Sequence, residues 1–212
     1  MNKNMTHEFS WNNLFSWREK ICSEYPDVFD LKIRKKIIDI IRDELKTESR
    51  ILDVGANRKG LGEELKAAAP SCTYKTMDID RSVQHDYYTL EEVEGKFDII
   101  ILSEVIEHVS AEDGLSMLKD LAGLLTPGGK IIISTPNISH PNRFWDLDHI
   151  TPYRYDELGG ILLSLGYDIS GLYRIYNDQF FKRAFRMYIT SHIHRYLDID
   201  FAKSIVIVAG RQ

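Results

Sequence analysis

Strand-sized apolar runs alternating with amphipathic helical stretches constrain this chain more than any other feature. Ile51-Leu52-Asp53-Val54 ends at Gly55, Phe97 to Leu102 reads Phe-Asp-Ile-Ile-Ile-Leu, and Lys130 to Ser134 follows the turn signal Thr126-Pro127-Gly128-Gly129. Runs this short and this apolar are read as strands buried on both faces. Helices are expected at Leu61 to Ala69, closed by Pro70, and at Leu115 to Leu125, with apolar residues at 115, 118, 121, 122 and 125. Further strands are expected at Thr73 to Ile79, more weakly at Val83 to Asp86, and then at Asp168 to Tyr176 and Ser204 to Ala209. Strand, helix and strand in repeated order predict βαβ units. The expected architecture is an α/β three-layer sandwich: a mostly parallel seven-stranded sheet with helices on both faces.

Upstream of that pattern the first 50 residues read as helical. Ile33, Ile37, Ile38, Ile40, Ile41 and Leu45 recur at helical spacing, as on one face of an amphipathic helix. The chain divides accordingly into an N-terminal helical segment, 1–47, packed on a core domain, 48–212. That domain carries a helix at Tyr155 to Leu165 and an amphipathic helical insertion near 177–197. With 212 residues and 43% hydrophobic content, the chain can bury a full core. The net charge of −5 counts against a broad nucleic-acid or anionic-membrane surface and leaves room for a small basic patch. No apolar run is long enough to span a bilayer, and Met1 to Trp17 is polar and aromatic, unlike a signal peptide. Cys22 and Cys72 have no metal-ligand spacing. A cytoplasmic setting without integral membrane contact is therefore expected.

In an open α/β sheet, ligands bind beyond the carboxyl ends of the strands, where strand order reverses. The first core strand runs into Asp53-Val54-Gly55-Ala56-Asn57-Arg58-Lys59-Gly60. A glycine there permits a tight turn and close approach of ligand to backbone. The acid precedes the glycine, whereas in dinucleotide-binding sequences the glycines lead and the acid follows about 20 residues later. A second acid closes the next strand, in Asp78-Ile79-Asp80, where a carboxylate can accept both hydroxyls of a ribose. Asp86 has a spacing suited to the rim over an adenine ring. The gap from Asp78 to Asp86 is too short for a crossover helix, so that connection is expected to be trimmed.

Taken together, Ile51–Gly60, Met77–Asp80, Asp86, Phe97–Val109 and Leu124–Asn137 resemble the class I S-adenosylmethionine-dependent methyltransferases, over roughly residues 48–176 and the last strand. The similarity is greatest to the group with a Glu-His pair after the fourth strand, which includes ubiquinone-biosynthesis O-methyltransferases. Compact methyltransferases of polysaccharide and small-molecule pathways are also similar. The resemblance implies a Rossmann-like fold and S-adenosylmethionine as methyl donor. It implies that Asp53 orients the loop and approaches the amino group of the methionine moiety, and that Gly55 and Ala56 line that moiety. Asp78, with Ile79 beside it, would bind the ribose; Asp86 would sit near the adenine; Ser103 and Glu104 would lie beside the methionine portion. Asn57 and Lys59 stand where the family has glycine, and the next glycine is Gly60. Asn tolerates left-handed backbone better than most residues, so Asn57 is a suitable substitute in the cofactor loop.

Methyl transfer from a sulfonium is an in-line displacement, so donor and acceptor must be held in near-attack geometry. An oxygen acceptor of high pKa also needs a base or a metal. Candidates cluster in Ser103-Glu104-Val105-Ile106-Glu107-His108. On a helical turn, Glu104, Glu107 and His108 share one face. Two carboxylates and an imidazole suit a divalent cation, with His149 as a fourth group. The same arrangement is similar to the metal sets of the ubiquinone O-methyltransferases and of the small-RNA 3′-end 2′-O-methyltransferases. Glu107, His108 and His149 are taken as the catalytic group. Cation ligand, general base and structural pair all stay open as roles, and no metal ligand is assigned.

The loop from Asn137 to Arg154 holds His140, Asn142, Arg143, Phe144, Trp145, His149 and Tyr153. Following the fifth strand, it is expected to wall the acceptor pocket, although Phe144 and Trp145 equally suit core beneath it. Arg174, Lys182, Arg183, Arg186, His192, His194 and Arg195, interleaved with aromatics, form a basic-aromatic stretch. It suits an anionic acceptor, a membrane surface, or a lid helix or dimer contact. The leading expectation is O-methyl transfer to a small molecule or glycan precursor by a monomer or homodimer. An RNA 2′-O-methyltransferase is the alternative, against which the acidic charge counts; a catalytically silent donor-binding relative is another. An NAD-dependent oxidoreductase is disfavoured, because no Gly-x-Gly-x-x-Gly follows a strand and no Tyr-x-x-x-Lys occurs.

Overall fold

The computed structural model of the protein describes residues 11–57, 60–142, 146–176 and 178–211. Along the chain come α1 (Trp11–Glu24), β1 (Lys32–Arg34), α2 (Ile37–Glu44), β2 (Arg50–Val54), α3 (Gly60–Ala68), β3 (Thr73–Met77) and β4 (Phe97–Ser103). They are followed by α4 (Ala111–Leu124), β5 (Leu125–Pro136), α5 (Tyr155–Ser164), β6 (Tyr167–Ile175), α6 (Phe180–Tyr188), α7 (Ser191–Tyr196) and β7 (Ser204–Arg211). The seven strands make one sheet in the order β1-β6-β7-β5-β4-β2-β3. All pairings are parallel except those of β7, which runs antiparallel to both β5 and β6.

The central strands are apolar throughout because both faces of the sheet are covered. In register, Leu52 lies opposite Ile100 and Ile100 opposite Ile131. These residues join a core with Leu115, Leu118 and Leu121 of α4 and Leu158, Ile161 and Leu162 of α5. Their neighbours Ile51, Ile99, Ile101 and Ile132 point the other way, against Ile38, Ile40 and Ile41 of α2 and Leu65 of α3. Helix α1 packs on α5. A Cβ on Gly159 would stand 3.1 Å from Ile21 Cδ1, and one on Gly160 3.1 Å from Arg18, so the glycine pair sets how closely the two helices approach. Arg18 also pairs with buried Asp156 at 2.8 Å. No described helix is long and apolar enough to cross a membrane.

Two expected elements are corrected. The apolar spacing from Ile33 does not begin a helix: residues 32–34 are β1, paired with β6, and helix starts only at Ile37. A strand-turn-helix and a helix one turn longer share the Ile33/Ile37 interval, and the open edge of β6 decides between them. Val83 to Asp86 forms no strand; one isolated parallel bridge, Met77 to Tyr87, is what pairs there. The sheet thus has seven strands by a different membership, with β1 added at one edge and residues 83–86 left as loop. The 177–197 insertion is two short helices, α6 and α7.

Candidate active site

Strand order reverses at β2: the chain leaves it through α3 to β3 on one side, then returns to β4 on the other. The crevice beyond β2 and β4 is therefore the expected ligand site. Gly55 opens the turn with φ +74°, and a Cβ there would come within 2.2 Å of Val105 Cγ2. Any side chain at 55 would force the turns after β2 and β4 apart. The N–H groups of Gly55 and Ala56 donate to Met77 O at 2.8 and 3.3 Å. Asn57 follows at φ +40°, the left-handed conformation its side chain tolerates, and its N–H donates to Asp78 Oδ2 at 2.8 Å. Asp80 N–H donates to the other Asp78 oxygen at 2.9 Å. Asp78 thus fastens the end of β3 to the glycine turn while keeping lone pairs for a ligand. Ile79 beside it is 80% exposed. Lys59, which departs from the family pattern, lies outside the described residues.

Asp53 lies beneath this turn, buried, and accepts a hydrogen bond from the Tyr74 hydroxyl. Burial pushes its carboxyl up to about 6; the Tyr74 bond opposes this and the charge of Asp78 adds to it. Asp86 does not stand free at the rim. Its carboxylate accepts from Lys75 Nζ at 2.8 Å and from the Thr76 N–H at 2.9 Å. Burial raises its pKa, but these bonds outweigh it and hold the group below its ordinary value. Both oxygens serve the flank of β3. Tyr74 was not foreseen, because nothing local in the sequence shows that it lies next to Asp53.

A cleft of about 500 Å³ is lined by Ser103, Glu104 and Ser134 with Lys36, Leu61 and Glu64. Lys36 and Glu64, an ion pair at 3.7 Å, were also missed; they come from the residue before α2 and from α3, whose docking only the tertiary fold reveals. Glu104 has φ +54°, a strained conformation for a residue with a side chain. Its N–H donates to Ser134 O at 3.0 Å, and its Oε1 accepts from Ser134 Oγ at 2.8 Å. Burial of the carboxyl end raises its pKa. The left-handed bend turns Glu104 toward β5 and out of the short helical turn, which begins only at Ile106. The expectation that Glu104, Glu107 and His108 share one helical face is corrected accordingly.

The structure brings together Glu107, His108 and His149. One ligand atom from each lies within 4.8 Å of the others. Glu107 is 1% exposed, and neither of its carboxylate oxygens has a hydrogen-bond partner. Its carboxyl is pushed up to about 7 by burial, then by the charge of Glu104, against smaller opposing effects of its own N–H, the Thr135 hydroxyl and His149. Its main-chain oxygen accepts from the Ile150 and Thr151 N–H groups at 2.8 and 3.0 Å, which ties the loop after β5 to this turn. His108 Nδ1 is 3.2 Å from Asp148 Oδ2, and the His108 and His149 rings meet edge to face at 4.8 Å. Glu107 and His149 line a pocket of about 290 Å³ with Thr135, Pro136, Ile150 and Tyr153.

Of the other residues expected in the loop, Tyr153 lines this pocket, whereas the His140 ring packs edge to face with Phe201 at 6.1 Å. Asn142 N–H donates to His140 Nδ1 at 3.0 Å. Arg143, Phe144 and Trp145 lie outside the described residues. Asn137 is buried and donates to Asp200 Oδ2 at 2.8 Å. Arg174 is a correction: it is buried rather than part of a basic surface, pairs with Asp200 at 3.0 Å and donates to Phe29 O at 2.8 Å.

A sheet with this order, reversing at an acid-and-glycine turn, defines a Rossmann-like α/β enzyme that binds an adenosine-containing ligand. Residues 29–185 match the sequence profile of a methyltransferase domain, more than half of the chain, and the protein belongs to that family. It is an enzyme, and S-adenosylmethionine is its methyl donor. Its fold is similar to that of a SAM-dependent methyltransferase from Archaeoglobus fulgidus, with TM-score 0.65 and 18% identity over 95% of this chain and 100% of that one. It is also similar to magnesium protoporphyrin IX methyltransferase from Synechocystis PCC 6803 with bound SAM (TM-score 0.56, 18% identity, 83% of this chain and 78% of that one). A third likeness is to a Haloferax volcanii structure, a complex of the Trm112 methyltransferase activator with a methyltransferase (TM-score 0.59, 12% identity, 78% and 84%). No curated protein matches the sequence at significance. These matches do not single out the ubiquinone-biosynthesis branch.

Proposed function

We propose that the protein transfers the methyl group of S-adenosylmethionine to a hydroxyl of a small molecule or glycan precursor seated beside Glu107. One observation carries this reading: a buried carboxylate approached only by the Thr135 hydroxyl, with no partner at full hydrogen-bonding geometry, lines a pocket of about 290 Å³. A buried acceptor group left unbonded is costly, and a substrate hydroxyl is a group that would satisfy it. The pocket volume suits a compact acceptor.

The sulfonium supplies an electrophilic methyl group and a neutral thioether leaving group. Asn57, Asp78 and Ile79 hold the adenosine part, and Gly55 and Ala56 of the turn, with Ser103 and Glu104 of the cleft, line the methionine part. Asp53 and Asp86 shape this turn and its strand from below and from the flank. As the oxygen–carbon bond forms and the carbon–sulfur bond breaks, Glu107 takes the hydroxyl proton. The products are a methyl ether, S-adenosylhomocysteine and protonated Glu107. His149 lines the same pocket, and His108, braced by Asp148, flanks the carboxylate.

A second reading is favoured by the mutual approach of Glu107, His108 and His149 within 4.8 Å. One carboxylate and two imidazoles fit a divalent cation, which would supply Lewis-acid activation of the hydroxyl. A labelled-methyl screen across small-molecule, glycan-precursor and RNA acceptors decides. Transfer to a small hydroxyl acceptor that survives chelation and is lost in Glu107→Ala supports the base. Loss on chelation, restored by an added transition-metal ion such as zinc, assigns the cation. Transfer to RNA alone, or full turnover in Glu107→Ala, overturns the proposal.

A further inference from the structure

Helix α6 is oriented opposite to an ordinary surface helix. Such a helix buries its apolar stripe on its own domain and shows polar residues to water. In α6, Phe181, Phe185, Tyr188 and Ile189 lie at i, i+4, i+7 and i+8, one face, and each is more than half exposed. Ile193 and Leu197 continue the stripe along α7, also more than half exposed. The polar side is what holds the pair to the protein. The Arg186 guanidinium lies 3.6 Å from the Phe201 ring centroid and pairs with Asp178, and the His194 ring packs on Phe201 at 4.9 Å. An exposed apolar patch of this extent marks an interaction surface.

Charge identifies the occupant. From 179 to 197 there is no acidic residue; with Arg186 turned to the protein and paired with Asp178, Lys182, Arg183 and Arg195 give +3, in a chain whose net charge is −5. Lys182 and Arg195 are exposed and their ion pairs are loose, at 3.7 Å each. A second copy would bring two such cationic faces together. A nucleic-acid surface would use the aromatics for stacking but would gain nothing from exposed Ile189, Ile193 and Leu197. Aromatic and aliphatic side chains flanked by cations match the boundary of an anionic bilayer, and neither helix is long enough to cross it.

We infer that the α6–α7 pair docks this methyltransferase on anionic membrane surfaces, Phe181, Phe185, Tyr188 and Ile189 entering the headgroup layer and the basic side chains meeting lipid phosphates. This stands independently of the acceptor reading. The test is co-sedimentation of the full chain with phosphatidylcholine vesicles, with and without phosphatidylglycerol. Wild type should partition onto the anionic vesicles at least about tenfold better than onto the neutral ones, and should be released as salt rises toward ~1 M. Phe181→Glu/Phe185→Glu should lose at least about tenfold in partition while S-adenosylhomocysteine still raises Tm as in wild type. Lys182→Glu/Arg183→Glu, which leaves the apolar face intact, gives a second measurement of the same loss. Wild type remaining in the supernatant, or sedimenting equally with both vesicle types, overturns the inference. So does a homodimer, or retention on RNA, that the same substitutions abolish.

Discussion

The two sides of the switch point are built from different materials. On the β2–β3 side the contacts are main-chain ones: Gly55 and Ala56 donate to Met77 O, and Asp78 is bonded by the N–H groups of Asn57 and Asp80. These bonds hold the described part of the turn, Gly55 to Asn57, against the end of β3. On the β4–β5 side the candidate atoms belong to side chains, and the central one, the Glu107 carboxylate, is buried with no partner at full hydrogen-bonding geometry beside the Thr135 hydroxyl. A turn held through its main chain suits a ligand that is the same in every turnover. Unused bonding capacity in a walled pocket suits the partner that differs from one methyltransferase to the next.

The comparison breaks most sharply at Glu107. Glu107→Ala should lower turnover by roughly 10²–10⁴-fold while the rise in Tm with S-adenosylhomocysteine stays as in wild type. Loss of both would show that the two sides are one unit. Next in size is the pH dependence beneath the turn. The Asp53 carboxyl is raised from 3.8 to about 6 in the folded chain, so the native state binds its proton more tightly than the unfolded state between those values. Stability from this group therefore falls as pH rises from about 4 to about 6, by on the order of 1–3 kcal/mol. Urea unfolding across that range should show the slope in wild type, and a flatter profile in Asp53→Asn.

Smaller effects sharpen the same contrast. Asp78→Ala should weaken S-adenosylhomocysteine binding by tenfold or more, ~1.4 kcal/mol by calorimetric titration; unchanged affinity would remove the ribose from that carboxylate. Asp86→Asn should change that affinity by no more than about twofold, ~0.4 kcal/mol, because Lys75 and Thr76 already occupy its oxygens. A large loss there would restore Asp86 to the adenine rim.

What could be read from the sequence follows the same division. The β2 turn is contiguous, so its strand, its glycine and the left-handed Asn57 are all visible in one stretch of chain. The buried strands show as apolar runs because both faces are covered. Glu104 was misplaced because helical spacing assumes right-handed backbone, and the bend toward Ser134 depends on β5. Arg174 reads as surface charge in a sequence rich in basic and aromatic residues; its burial depends on Asp200 and on the main chain of Phe29 and Leu31, brought from elsewhere in the chain. β1 was hidden for a similar reason, since three residues at an edge carry no period of their own.

The loop after β5 is secured at both margins. Asn137 is locked to Asp200 at its start, and the amides of Ile150 and Thr151 are locked to the main-chain oxygen of Glu107 near its end. Neither anchor uses a side chain from the stretch between them. Substitutions within that stretch can therefore recast the shape of the pocket while leaving Glu107, the proposed base, at the same depth, so that under the proposed function a new acceptor can be adopted without rebuilding the chemistry.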